Sequence, residues 1–161
     1  MKRAFTLMEV LISVAVIITA LVGVLSLITI GVSSIRINRS KIIAANLAEE
    51  GLEIVKNIRD NNWLNYKRKA SDWRDGLAAG NYRVQYNTEN LLAYGAVPLK
   101  LDSNGFYQYS TGTNTPFYRK ISIEHIGDYQ IKTNVEITWQ ESGRNNKITA
   151  EARFYNWLKE L

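Results

Sequence analysis

The chain has 161 residues and a mass of 18.3 kDa; 46% of the residues are apolar and 22% are charged. These values are typical of one globular domain and exclude a disordered chain and a multi-domain enzyme. Cysteine is absent and His125 is the single histidine, so disulfide scaffolds, thiolate metal sites and cysteine nucleophiles are excluded and imidazole chemistry is disfavoured. The formal net charge of +5 is mild and does not by itself indicate a nucleic-acid partner.

The charges are distributed unevenly. From Val10 to Val32 the chain has 23 consecutive residues without a charged side chain. As a helix with a rise of about 1.5 Å per residue, this segment spans roughly 34 Å, more than a bilayer hydrocarbon core of about 30 Å. Cleaved secretory signals have a shorter apolar region and a small-residue cleavage site, whereas this run is followed by Arg36 and Arg39. The sequence therefore predicts one retained membrane-spanning helix attached to one soluble domain.

Basic residues flank both ends of the apolar segment. Lys2 and Arg3 precede it and favour a cytoplasmic N-terminus, while Arg36, Arg39 and Lys41 follow it and favour the opposite orientation. Counting charges therefore leaves the orientation open.

The first residues of the chain decide between the two orientations. The basic leader Met1-Lys2-Arg3-Ala4 is followed by Phe5-Thr6-Leu7-Met8-Glu9-Val10-Leu11-Ile12, and this arrangement resembles the processing site of type IV prepilins. The resemblance implies that a membrane aspartyl peptidase cuts between Ala4 and Phe5 and then N-methylates Phe5. It also implies that Glu9, the fifth residue of the cut chain, acts in filament assembly. The family usually has glycine at the position of Ala4, and some members share the alanine.

Glu9 is the one acid next to the apolar run. A carboxylate costs about 2.5 to 3.5 kcal/mol at the centre of a bilayer and less near its surface. Glu9 has two explanations: an interfacial acid satisfied by lipid headgroups or by the helix N-terminus, or a charge paired with the terminal amine of a neighbouring copy, which the prepilin resemblance implies. Alone, the residue favours the first explanation; with the surrounding motif it favours assembly.

The residues after the membrane segment continue the helix. Apolar residues recur largely at steps of three, four and seven from Ile35 to Ile58, and no proline interrupts residues 5–60. We therefore expect an amphipathic helix over residues 36–62 that packs on a soluble domain. The stretch Ala44–Trp63 resembles bacterial PilV-like minor pilins and the type II secretion pseudopilin I, although an ordinary amphipathic helix also explains it.

The remaining residues predict an antiparallel sheet. Residues 61–80 show no sustained period and are expected to form an irregular loop with one helical turn. From residue 82 onward apolar and polar side chains alternate in several short runs, and the two clearest runs end at Trp139 and Phe154. Turns are expected at Asp102–Gly105 and Ser142–Asn145. This alternation is typical of half-buried antiparallel strands.

These elements give an α+β fold in which one long N-terminal helix packs, through its second half, on a C-terminal antiparallel β-sheet. The type IV pilin-like fold, which the resemblance implies, has the same order of elements. We divide the chain into a leader peptide (1–4), a transmembrane or filament-core helix (5–35), an amphipathic helix (36–62) and a globular β head (63–161).

Few residues suggest catalysis or ligand binding. The sequence has no glycine-rich phosphate loop, no Ser-His-Asp set and no metal-binding His-Glu helix, so we expect no catalytic residue, metal or cofactor. His125 is expected to be an ordinary strand-end imidazole, and Asp102 to begin a β-turn rather than a calcium loop. A basic run beside Trp63, Tyr66 and Trp73 has the composition of a single-stranded nucleic-acid site, but a solvated loop is our default interpretation. Its cations are Lys67, Arg68, Lys69 and Arg74.

The resemblance implies a non-enzymatic subunit of a type IV pilus or a type II secretion pseudopilus. Its implied partners are the prepilin peptidase and methyltransferase, other pilin or pseudopilin subunits, and the inner-membrane assembly platform. It also implies a single pass through the inner (cytoplasmic) membrane, with the N-terminus cytoplasmic and the head outside, before incorporation into the filament. Two alternatives remain: a signal-anchored extracytoplasmic binding module that keeps residues 1–4 and does not polymerise, and a minor pilin that takes up DNA through Lys67 to Arg74.

Overall fold

The structure, a computed structural model, describes residues 6–66 and 72–156. One long N-terminal helix is followed by an antiparallel β-sheet, so the expected α+β class is confirmed. The chain divides into two compact units, Met1–Ser40 and Lys41–Leu161, and helix α1 contributes residues to both. The elements in chain order are α1 (Leu7–Tyr66), β1 (Gly80–Arg83), β2 (Leu92–Ala93), β3 (Lys100–Leu101), β4 (Tyr107–Gln108), β5 (Thr113–Asn114), β6 (Tyr118–Ile126), β7 (Gln130–Glu141) and β8 (Arg144–Tyr155).

Helix α1 extends into the segment expected to be irregular. We predicted a loop over residues 61–80, but the helix ends at Tyr66. The extension has a packing reason, because Trp63 is buried in the core and tertiary packing stabilises a helix more than local propensity does. The side-chain amide of Asn62 donates to the carbonyl oxygens of Trp73 at 3.2 Å and Asp75 at 2.7 Å. Asn62 therefore holds the following turn against the helix.

Two antiparallel sheets form within the described residues. The larger has the strand order β2-β1-β6-β7-β8. Its three longest strands, β6, β7 and β8, form an antiparallel meander, with Ile121 opposite Val135 and Val135 opposite Ala150. Strands β1 and β2 extend this sheet beyond β6.

The predicted hairpin at Asp102 belongs to a separate sheet of order β4-β3-β5. The carboxylate Oδ1 of Asp102 accepts hydrogen bonds from the backbone amides of Asn104 and Phe106, both at 2.9 Å. Gly105 has a φ of 87°, which glycine adopts without strain. The turn prediction is confirmed. The alternation did not indicate β5, because Thr113–Asn114 is only two residues long.

The hydrophobic core of the unit Lys41–Leu161 lies between α1 and the inner face of the larger sheet. The predicted alternation is clearest in β7, where every second side chain from Ile131 to Trp139 is buried. Burial of apolar area, at about 25 cal/mol per Å², is the main stabilising contribution. The buried apolar side chains are Ala44, Leu47, Ala48, Ile54, Val55, Ile58 and Trp63 on α1, and Ile121, Ile123, Ile131, Val135, Ile137, Trp139 and Phe154 on the sheet.

Gly51 allows the close approach of α1 to this sheet. It is buried inside the helix, where glycine costs about 1 kcal/mol relative to alanine. A Cβ atom at this position would lie 2.9 Å from Cγ1 and 3.3 Å from Cγ2 of Val135, and 3.5 Å from Cδ of Arg119. Valine is branched at Cβ and stiff about χ1, so it cannot easily move away. The missing side chain at Gly51 therefore sets the spacing between helix and sheet.

We expect Gly51→Ala to destabilise the unit Lys41–Leu161 by about 1 kcal/mol, because the cost of overpacking exceeds the gain in helix propensity. Urea unfolding of the detergent-solubilised chain, followed by tryptophan fluorescence, measures the change. In a Val135→Ala background the same substitution fills vacated space and should be stabilising. Gly31→Ala is the control, because a Cβ atom there meets nothing within 4 Å. Equal stability of Gly51→Ala and the wild type would contradict the close approach.

Candidate functional site

The apolar segment begins with a capped helix end. Thr6 precedes the first helical residue, and its Oγ1 accepts a hydrogen bond from the backbone amide of Glu9 at 3.3 Å. Threonine is a preferred N-cap, because its oxygen satisfies an amide that has no acceptor within the first turn. The helix dipole favours negative charge in this turn. Glu9 therefore lies at the N-terminal end of α1, in a position that suits a carboxylate.

Beyond Glu9 the helix surface is apolar on every side. All side chains from Val10 to Val32 are exposed, and the large apolar ones among them are between 47% and 70% exposed. Soluble monomers rarely expose so much contiguous apolar surface. By length and composition this helix can cross a membrane. The segment therefore needs apolar surroundings, which lipid or other apolar helices can provide.

Four hydroxyl groups interrupt this apolar surface, and each donates to a carbonyl oxygen of its own helix. A hydroxyl without a hydrogen bond costs several kcal/mol in hydrocarbon, on the order of 4 to 8. Bonding within the helix removes that cost without water or a partner. The four bonds are Ser13 to Glu9 at 2.8 Å, Thr19 to Ala15 at 2.9 Å, Ser26 to Val22 at 3.0 Å and Thr29 to Leu25 at 2.9 Å.

Several predicted site residues lie outside the described residues. These are the processing residues Ala4 and Phe5, and Lys67, Arg68 and Lys69 of the predicted nucleic-acid contact.

The described part of the predicted nucleic-acid contact packs against the core. The guanidinium carbon of Arg74 lies 5.8 Å from the ring centroid of Trp73, and Trp73 is only 5% exposed. Trp63 is also buried, with the guanidinium carbon of Arg59 4.4 Å from its ring centroid and 4.7 Å from that of Phe154. These two indoles are therefore core residues and offer no exposed face on which bases stack.

His125 and Glu151 of the head have structural neighbours. Nε2 of His125 lies 2.7 Å from the carbonyl oxygen of Leu77, which links β6 to the segment before β1. The hydrogen bond that Arg153 donates, with Lys132 nearby, holds the pKa of the Glu151 carboxyl below its ordinary value. Within residues 6–66 and 72–156, no group of three or more His, Asp or Glu side chains could hold a metal ion.

We did not predict the buried ion pair between α1 and β6. Arg119 is 1% exposed, and its Nη1 donates to Oε1 of Glu50 at 3.2 Å and to the carbonyl oxygen of Val84 at 3.4 Å. Nε and Nη2 of Arg119 have no hydrogen-bond partner among the described residues. The signal was present in the sequence, because Arg119 is two and four residues before Ile121 and Ile123 and so falls on the buried face of the strand.

Tyr109 lies close to this ion pair. Burial raises the pKa of the Tyr109 phenol above its ordinary value, while the charges of Arg119 and Arg83 oppose the shift. The guanidinium carbon of Arg83 is 5.1 Å from the Tyr109 ring centroid. The hydroxyl has no hydrogen-bond partner among the described residues. The phenol therefore stays neutral and acts as a mainly apolar group.

Comparison with known proteins adds no family to these observations. No family model, no curated protein and no solved structure matches the chain.

We expect Glu50→Ala to cost about 3 kcal/mol, because it leaves a charged guanidinium buried without its partner. Arg119→Met should cost less, since it removes the buried charge and leaves Glu50, whose side chain is 31% exposed, in contact with water. Urea unfolding of both variants under the same conditions measures the difference. A larger loss of stability for Arg119→Met than for Glu50→Ala would contradict the view that Arg119 is the desolvated member of the pair and Glu50 the hydrated one.

We expect Tyr109→Phe to leave stability at pH 7 unchanged or slightly higher, because the lost hydroxyl has no described hydrogen bond. In the wild type the folded-state pKa lies above the unfolded value of 10.0, so the contribution of Tyr109 to stability is present below that pH and is lost as pH rises through the folded-state pKa. Denaturation between pH 8 and about pH 12 should show a shallower loss for Tyr109→Phe. Tyr129→Phe, at a position 72% exposed, is the control; identical profiles for both variants would contradict the burial effect.

Proposed function

We propose that the chain is a non-enzymatic, type IV pilin-like subunit, a minor pilin or type II secretion pseudopilin that polymerises through its N-terminal helix. The observation that supports this proposal is the single acid Glu9 in the first turn of a helix whose surface from Val10 to Val32 is apolar and exposed. The expected processing motif surrounds that acid. The type IV pilin-like architecture belongs to the same proposal.

The acid argues for more than a simple anchor. A helix that only crosses a bilayer is stabilised by apolar residues. A carboxylate in its first turn gains from the helix dipole, but it is costly in hydrocarbon unless a cation lies beside it. Cleavage before Phe5 creates a new amine four residues from Glu9. In a bundle of such helices, the amine of one copy offers a cation to the carboxylate of another. The pairing would align the copies along the bundle.

The proposal gives each part of the chain a role. Residues 1–4 are the leader that the prepilin peptidase removes on the cytoplasmic side of the inner membrane. Phe5 carries the methylated amine, and Glu9 supplies the intersubunit pairing. The apolar helix leaves the membrane for a filament built by the inner-membrane assembly platform, and the head contacts other subunits outside the membrane.

The first test is mass spectrometry of the N-terminal peptide from membrane-extracted chain. We expect a peptide that begins with N-methylated Phe5. The competing function, a signal-anchored binding module that never polymerises, keeps residues 1–4. An intact Met1 or Lys2 terminus in a host with active prepilin peptidase would contradict the proposed processing and support the anchored module.

The second test separates processing from assembly. We expect Glu9→Val to be cut and methylated like the wild type but to be lost from sedimentable filaments, because its helix no longer carries the charge that pairs with a neighbouring amine. Glu89→Val removes an exposed acid from the head and is the matched control. If the Glu9→Val chain is recovered in filaments at the wild-type level, the assembly role of Glu9 is wrong.

A further inference from the structure

The N-terminal unit carries a stripe of exposed residues that changes from apolar to basic. Leu25, Val32 and Arg39 recur every seven residues along α1 and so share one side of the helix. Leu25 is 62% exposed and Val32 is 55% exposed, and Arg39 is exposed as well. We call these three residues the basic stripe.

The helix of the second unit carries a complementary stripe. Ile42 and Glu49 are also seven residues apart, and both are exposed, Ile42 to 62%. Ile42 lies beyond the apolar run that ends at Val32, so a membrane span does not account for it. We call these two residues the acidic stripe. Neither Glu49 nor Arg39 forms an ion pair with a described residue.

The two stripes match at a single displacement. Ile42 lies ten positions after Val32, and Glu49 lies ten positions after Arg39. We propose that the basic stripe of one copy binds the acidic stripe of a second, parallel copy, with valine against isoleucine and arginine paired with glutamate. Ten residues of helix correspond to a displacement of about 15 Å. This inference depends on the proposed function, because it describes a contact between polymerised copies.

Other displacements match less well. A displacement of seven residues would place Val32 of one copy beside Arg39 of the other, and Arg39 beside the neutral Asn46, so that no ion pair forms. A displacement of fourteen would place Val32 beside Asn46 and Arg39 beside Glu53. The carboxylate of Glu53 is already 3.2 Å from Nζ of Lys56. Only the displacement by ten joins apolar to apolar and cation to unpaired anion.

The contact joins two different surfaces, so it is heterologous. Each copy keeps one stripe free after binding its neighbour, and heterologous contacts produce rings or open helical filaments instead of closed two-fold dimers. A subunit inside such a filament has several neighbours. The copy that receives Glu9 therefore need not be the copy that receives Arg39.

Disulfide cross-linking tests the contact in the full-length chain, which has no cysteine of its own. Two differently tagged copies are expressed together, one with Arg39→Cys and the other with Glu49→Cys. Linked cysteines need Cα atoms about 4.4 to 6.8 Å apart, whereas ten helical residues separate these positions by about 15 Å within one chain. A disulfide that joins both tags therefore reports contact between copies. The control pair, Arg39→Cys with Glu53→Cys, is out of register and should give little product.

Charge reversal gives an independent measure. We expect Arg39→Glu and Glu49→Arg each to lower the filament-incorporated fraction about tenfold, and the double variant to return to within about twofold of the wild type. Arg36→Glu makes the same charge change beside the stripe and should stay within about twofold of the wild type.

The outcomes separate the inference from the proposed function. If the wild-type chain polymerises but the mixed disulfide is absent, or the double variant is not rescued, the stripe contact is wrong and the proposed function stands. If the wild-type chain never polymerises and keeps residues 1–4, both are wrong. A mixed disulfide together with rescue by the double variant supports the contact.

Discussion

The close approach of α1 to the sheet at Gly51 is the constraint on which the head depends. Without a side chain there, the backbone of the helix comes near enough to β7 for Val135 to fill the space. Arg119, which lies beside the same glycine, reaches Glu50 on the preceding helical position. A buried ion pair contributes little net stability but is costly when it is mispaired. We interpret glycine and ion pair together as the determinants of how the helix is rotated and positioned on the sheet.

The N-terminal unit differs from the head, because the side chains from Val10 to Val32 are all exposed and are not held by packing within the chain. The same helix therefore serves two environments. In the head, alternating burial on β7 supplies a partner for one side of α1. From Val10 to Val32 every side of the helix is apolar, and a second molecule or a lipid must supply the partner. Thr6 and Glu9 mark where this apolar surface begins.

The sequence predicted the features that depend on interactions between residues close together in the chain, and it missed those that depend on distant residues. The alternation of β7 and β8 and the turn at Asp102 come from periodicity and side-chain-to-backbone bonds within a few residues. The end of α1 depended on Trp63 being buried in the core, and β5 on pairing with β3. The alternation of β6 places Arg119 on the buried face, but a charged residue is not expected in a core, so we did not assign it there. Glu9 stood out in the sequence because an uncharged apolar run follows it directly.

The hydroxyl bonds of the apolar segment have a thermodynamic consequence. Because Ser13, Thr19, Ser26 and Thr29 donate to their own helix, the segment has the same internal hydrogen bonds in acyl chains as among protein helices. Moving it between these two media breaks no hydrogen bond and leaves none to be re-formed. The free-energy difference then comes from van der Waals contacts and from Glu9. Hydrogen bonding therefore does not oppose the transfer of this segment from lipid to a bundle of helices, and packing and the charge of Glu9 determine its direction.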